Sequence, residues 1–119
     1  IKNIEKKSIK DINSLIIKLS NKARSKKLTP RDLSQGTFTI SSLGGIGGRF
    51  FTPIINHPEV SIMGISQAYT KIKLDSNNFP IKAKVLPFSL SYDHRVIDGA
   101  EAARFCNLFK DNLKNLSSV

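Results

Sequence analysis

The sequence has 119 residues, one cysteine, two histidines and a formal net charge of +10. That is the length of one ordinary domain, enough to bury a core, while a lone cysteine excludes an internal disulfide and one cysteine with two histidines excludes a zinc cluster. No apolar run is long enough to cross a membrane, and the first residues lack the apolar stretch of a signal peptide.

In chain order, residues 9–27 read as a helix. Ile9, Ile12, Ile16, Leu19 and Ala23 recur at three- and four-residue spacing with charge on the other face. Ser8 suits the N-cap, with Asp11 three residues on as in a capping box. In "TPRDL", Thr29 caps and Pro30 takes a first helical position, which predicts a short helical turn. "GTFTISSL" alternates and is rich in β-branched and aromatic residues, so it predicts a strand. "GGIGG" breaks regular structure. "VSIMGISQAY" predicts a second strand, with "TKIKL" as its extension or neighbour, and "DSNNFP" a turn. "IKAKVLPFSLSY" predicts a long strand interrupted at Pro87, and "AEAARFCNLFKDNLKNL" an amphipathic helix running to the C-terminus. Helix, strands, helix is the order of an α/β fold: a two-layer sandwich with helices packed on a mixed β-sheet.

The positive charge admits two readings. One is an anionic partner, such as nucleic acid, an acidic membrane or a phosphorylated cofactor. The other is compositional bias, since Lys, Ile and Asn are over-used together. The lysines are scattered and no aromatics interleave with them as base-stacking surfaces require. The nearest approach to a basic cluster, Lys22 to Lys27, ends a predicted helix, where cations suit the dipole without a ligand. Cys106 falls on the apolar face of the last helix and reads as a small buried hydrophobe. His57, in "INHPEV", reads as a turn or surface residue.

The glycines of "SSLGGIGG" match no phosphate-binding pattern. Phe50 stands where G-x-G-x-x-G needs glycine, and Arg49 and Phe50 stand where a P-loop needs Lys and Ser or Thr. They are expected to permit unusual φ or close approach of a neighbouring chain.

The densest chemistry lies in "SLSYDHRVIDGAEAARF". His94 sits where a predicted strand ends, between Asp93 and Arg95, with Asp98 four residues on. Strand-end loops are where scaffolds present reactive groups. An imidazole titrates near neutral pH and can take and return a proton, and a carboxylate nearby can fix its tautomer or hold an arginine. The structural alternative is equally concrete: Asp98 is an N-cap for the last helix, Glu101 its capping-box partner, Gly99 a helix entry and His94 a satisfied turn residue.

"DHRVIDG" resembles the signature of the acyltransferase components of the 2-oxo acid dehydrogenase complexes, whose fold chloramphenicol acetyltransferase shares. "GTFTISSLGGIGGRFFTPIINHPEVSIMGIS" is similar to the segment that family carries upstream, and "LTPRDLSQGTF" with its preceding helix has a counterpart too. The resemblance covers essentially the whole chain, residues 1–119, as the C-terminal part of the catalytic domain. "SSLGGIGG" and "RVIDGA" look like the acetyl-transferring, pyruvate type. The resemblance implies His94 as catalytic base, Asp98 as its acidic partner and Ser41, the first serine of "TISS", as hydrogen-bond donor to the oxyanion. It also implies that Ser41 and His94 meet between subunits of a homotrimer that builds a larger core.

The implied reaction moves an acetyl group between dihydrolipoamide and coenzyme A, with coenzyme A as substrate, the lipoyl group supplied by a domain outside this chain, and no metal. Pyruvate dehydrogenase and dihydrolipoamide dehydrogenase components are implied partners through further absent domains; nucleic acid and membrane are not. The implied location is the bacterial cytoplasm, with a mitochondrial or plastid matrix as the alternative. Two other readings stand beside this one: a catalytically incomplete structural piece of the oligomeric core, and a basic anion- or nucleic-acid-binding domain.

Overall fold

A computed structural model describes residues 1–116, so the last three positions of the predicted C-terminal helix lie outside the described residues. The chain divides into two compact units, Ile1–Thr37 and Phe38–Val119.

In the first unit, α1 (Ile9–Arg24) starts where the sequence places it. Ser8 Oγ accepts from the Asp11 backbone N–H at 3.1 Å while the Asp11 carboxylate accepts from the Ser8 backbone and hydroxyl, so both halves of the capping box are present. The helix stops three residues before Lys27, because Lys26 adopts a left-handed φ of 55° and Lys27 N–H turns back to the Lys22 carbonyl at 2.8 Å. α2 (Pro30–Leu33) repeats the capping box with Thr29 and Asp32, and has Pro30 in its first turn. Lys22 reaches from α1 to the Asp32 carboxylate at 3.1 Å, tying the two helices together.

The second unit holds a mixed three-stranded sheet in the order β1-β2-β5 and a separate β3-β4 hairpin. β1 is Thr39–Ser42, β2 Ser61–Ile65 and β5 Phe88–Tyr92. β1 runs parallel to β2, and β2 antiparallel to β5. β3 (Tyr69–Leu74) and β4 (Pro80–Val85) are joined through the expected turn, where the Asp75 carboxylate accepts from Asn77 and Phe79 N–H and Asn78 takes φ 62°. "TKIKL" therefore does not extend β2. Ser66 is buried and bonds across to the Pro87 carbonyl, and from there the chain leaves for the other sheet. "IKAKVLPFSLSY" is likewise more than one interrupted strand: Leu86 and Pro87 separate β4 from β5, which belong to different sheets.

α3 (Gly99–Leu116) packs on β5. Phe109 meets Phe88 edge to face with ring centroids 5.0 Å apart, and Phe105 lies 5.8 Å from Phe38. Strand alternation puts Phe88, Leu90 and Tyr92 on the α3 face, with their register partners Ile65, Met63 and Ser61. The core is thinner than a chain of this length permits. Among the described residues the buried apolar side chains of the sheet and helix are Ile62, Met63 and Ala102, while Ile46 is 87% and Ile54 91% exposed. A three-stranded sheet with one helix on it has few positions shielded from both sides. Cys106 is half-buried, less enclosed than its helix face predicts.

Candidate active site

The loop between β5 and α3 begins as an extension of the sheet. Asp93 N–H bonds to the Val60 carbonyl at 2.8 Å, and the Asp93 carbonyl then accepts from both Val96 and Ile97 N–H at 3.0 Å, which reverses the chain. The Asp93 carboxylate closes the same turn: it accepts from Arg95 backbone N–H at 3.0 Å, from Nε at 3.0 and 3.1 Å, and from Nη2 at 2.6 Å. These side-chain and backbone hydrogen bonds from Arg95 hold the Asp93 carboxyl down to about 2 and push the guanidinium further up. His94 is the residue this turn encloses. It is exposed, and its ring stands 5.8 Å from that of Tyr92 at 38°. A Cβ built on Gly99 would lie 3.7 Å from the Tyr92 hydroxyl, so Tyr92 bridges the imidazole and the start of α3.

Asp98 does what a helix cap does. Its carboxylate accepts from Glu101 N–H at 2.8 Å and its carbonyl from Ala102 N–H at 3.1 Å. Among the described residues the return bond from the Glu101 side chain, the second half of a capping box, is absent, and no hydrogen bond joins Asp98 to His94. The arrangement supports the helix-capping role directly.

Ser41 lies mid-way along β1, half-buried, on the sheet face opposite α3. Its register partner is Gly64, which faces Ser89 on β5. From Ser41 to Tyr92 is roughly 14 Å, taking about 3.3 Å per residue along a strand and about 4.8 Å between strands. His94 is two residues beyond Tyr92. The two site residues of one chain therefore stand towards opposite ends of the sheet and are not brought together.

The segment after β1 folds back over the Ser41 face. Gly47 and Gly48 adopt φ of 123° and 93°, conformations that favour glycine. Ser89 Oγ donates to the Phe51 carbonyl at 2.5 Å, and a Cβ on Gly64 would come within 2.8 Å of Phe51 Cζ and 2.9 Å of Ser89 Oγ. Gly64 thus keeps open the space into which Phe51 and Ser89 pack. His57 is exposed, as its loop context predicts. Of the two roles the sequence leaves open for a carboxylate beside His94, holding the ring or holding the arginine, Asp93 takes the second. Sequence reasoning missed the Tyr92 platform and the Ser89–Phe51 anchor, which depend on pairing between distant segments.

The family of 2-oxoacid dehydrogenases acyltransferase (catalytic domain) matches the chain over residues 1–119. The dihydrolipoyllysine-residue acetyltransferase component of the pyruvate dehydrogenase complex from Buchnera aphidicola (subsp. Acyrthosiphon pisum) is 51% identical over 116 residues, covering 98% of this chain and 29% of that relative. The component of the same name from Cupriavidus necator is 51% identical over the full 119 residues and 21% of its own length. A solved Azotobacter vinelandii dihydrolipoamide acetyltransferase, a structure concerned with the role of one serine, one histidine and one asparagine in its catalytic mechanism, superposes with a TM-score of 0.92 at 46% identity, covering 99% of this chain and 48% of that one. The cubic core of a pyruvate dehydrogenase multienzyme complex gives 0.93 at 45% identity with the same coverage. This chain thus spans less than a third of these curated relatives and about half of the solved chains.

Proposed function

Because the chain belongs to the 2-oxoacid dehydrogenase acyltransferase family, we propose that residues 1–119 form the C-terminal part of such a catalytic domain. We propose further that it transfers an acetyl group between dihydrolipoamide and coenzyme A within the core of a pyruvate dehydrogenase complex. The observation that carries this reading is His94, exposed at the end of β5 in a turn closed by its two neighbours. In the Azotobacter enzyme the asparagine follows the histidine by four positions, the separation of Asp98 from His94 here. The serine spacing of that enzyme counts back from His94 to Ser42, and to Ser41 if this chain carries one extra residue between them. The Ser42 hydroxyl accepts from Gly44 N–H at 3.4 Å and keeps its own proton to donate, so that contact does not choose between the two serines, and Ser41 is taken as the oxyanion donor on its motif position.

The chemistry follows from the groups. A thiol with an acidity near that of free cysteine is mostly protonated at neutral pH, and its thiolate is the nucleophile. His94 takes the proton of the coenzyme A thiol. The thiolate forms a new C–S bond at the thioester carbon of acetyl-dihydrolipoamide. Ser41 donates a hydrogen bond to the oxygen as charge develops on it. The old C–S bond breaks, and His94 returns its proton to the dihydrolipoyl sulfur. No acyl-enzyme is needed. With Ser41 and His94 of one chain held apart by the sheet, the serine serving each histidine comes from a second copy, in a homotrimer that builds the larger core.

The partner enzymes and the lipoyl group attach through parts of the protein beyond this chain. The bacterial relatives favour a cytoplasmic complex. The test is acetyl transfer from acetyl-CoA to dihydrolipoamide, by the chain alone and with the remaining half of the catalytic domain supplied. Turnover is expected in the second arm. Assembly without turnover in either arm would leave the chain a structural piece of the core.

A further inference from the structure

We propose that Asp93 and Arg95 are positioning residues for His94: their side-chain pair closes the turn around the imidazole and leaves it flanked by no net charge. Three observations carry this. The Asp93 carboxylate accepts four hydrogen-bond contacts from Arg95, two from Nε and one from Nη2 in a fork and one from the backbone N–H on the far side of His94. The Asp93 backbone is fixed to Val60 and to Val96 and Ile97, so the clamp is anchored in the sheet. His94 itself is exposed and makes only a ring contact with Tyr92 among the described residues. Nothing else in the turn fixes where the imidazole starts from.

The electrostatic consequence has a definite sign. An unpaired guanidinium one residue from His94 would disfavour the protonated imidazole, and an unpaired carboxylate would favour it. Paired, they offset each other. The Asp93 carboxyl is held down to about 2 by Arg95, so both members of the pair stay charged throughout the range in which an imidazole titrates. The other charged groups on the elements joined to the turn are Asp98, Glu101 and Arg104 in the first turns of α3, Lys110, Asp111 and Lys114 further along it, and Glu59 before β2, whose carboxylate is bonded to Thr39. They are unchanged in each variant below and drop out of the comparison.

The catalytic consequence rests on the reading of His94 given above, but the titration does not. The experiment is an NMR titration of the His94 imidazole in the full chain. There are two histidines, and a His57→Gln variant assigns them. Asp93→Asn is expected to lower the His94 midpoint and Arg95→Gln to raise it, each by roughly 0.2–0.5 pH unit for an exposed charge at this range. The double variant returns the midpoint towards the wild-type value. Arg95→Lys keeps the charge but not the fork, so its midpoint stays while kcat for acetyl transfer falls with KM held. Midpoints that do not move, or that move the same way in both single variants, overturn the proposal. Should the amide spectrum show that Asp93→Asn does not fold, Arg95→Gln against Arg95→Lys decides: a rise in the first alone supports the clamp, and no rise rejects it. Opposite shifts together with acetyl transfer indifferent to His94 would keep the clamp and reject the catalytic reading.

Discussion

Ser41 and His94 stand towards opposite ends of one three-stranded sheet: Ser41 is aligned through Gly64 with Ser89, while His94 follows Tyr92, three positions further along β5. On the proposed reading, a site that needs both groups takes them from different copies. Ser41→Ala and His94→Ala chains should each be inactive as pure assemblies and regain activity when mixed and reassembled. Random mixing predicts roughly a quarter of wild-type turnover, because one pairing in four restores both groups. Activity that does not return on mixing would place both groups in one copy.

Asp98 separates capping from chemistry. Its carboxylate holds the Glu101 N–H at the start of α3. Asp98→Ala should destabilise the chain by about 0.5–2 kcal/mol in a denaturant melt, whereas Asp98→Asn, an equally good cap, should cost almost nothing. Acetyl transfer should survive in Asp98→Asn, since asparagine holds the matching place in the Azotobacter enzyme. A large rate loss in a stable Asp98→Asn variant would mean the negative charge itself acts on His94.

Gly64 is a packing constraint on the Ser41 face. Adding a Cβ there meets Phe51 Cζ at 2.8 Å and Ser89 Oγ at 2.9 Å. Gly64→Ala should cost about 1–3 kcal/mol. In the Ser89→Ala background the cost should be smaller, because one of the two clashes is gone. Equal costs in both backgrounds would show that Phe51 alone resists the methyl group.

The Asp32 carboxyl is held down to about 2, first by the Thr29 backbone and hydroxyl and then by Lys22. In the unfolded chain it titrates at its ordinary value of 3.8. A depressed folded value means stabilisation that is complete above the unfolded value and lost as pH falls through the folded one. Wild type should therefore be more stable than Asp32→Asn near roughly pH 5, with the gap closing towards pH 2. Melting temperatures of the two chains across that window check it, and a constant gap would contradict it.

What the sequence revealed follows from how local each signal is. Ser8, Asp11, Thr29 and Pro30 set helix starts through neighbours three residues away, and each cap forms as read. The Asp75 turn is local in the same sense. Most of the failures are long-range. Nothing in "SIMGISQAYTKIKL" tells that Ser66 will bond to Pro87 and send the next strand to another sheet. The three groups of the candidate site were legible as motif positions. Their separation was not, because it depends on the β1-β2-β5 register, which is set by pairing between segments tens of residues apart. Lys26 ended α1 early through a left-handed residue that carries no glycine to announce it.

On the proposed mechanism the imidazole of His94 carries the proton between two sulfurs. The most direct measurement is the rate of acetyl transfer from acetyl-CoA to dihydrolipoamide by wild type and His94→Ala, each with the rest of the catalytic domain present and shown to be equally assembled. A fall of about 10²–10⁴-fold in kcat is expected for His94→Ala. An unchanged rate in the assembled His94→Ala protein would contradict it.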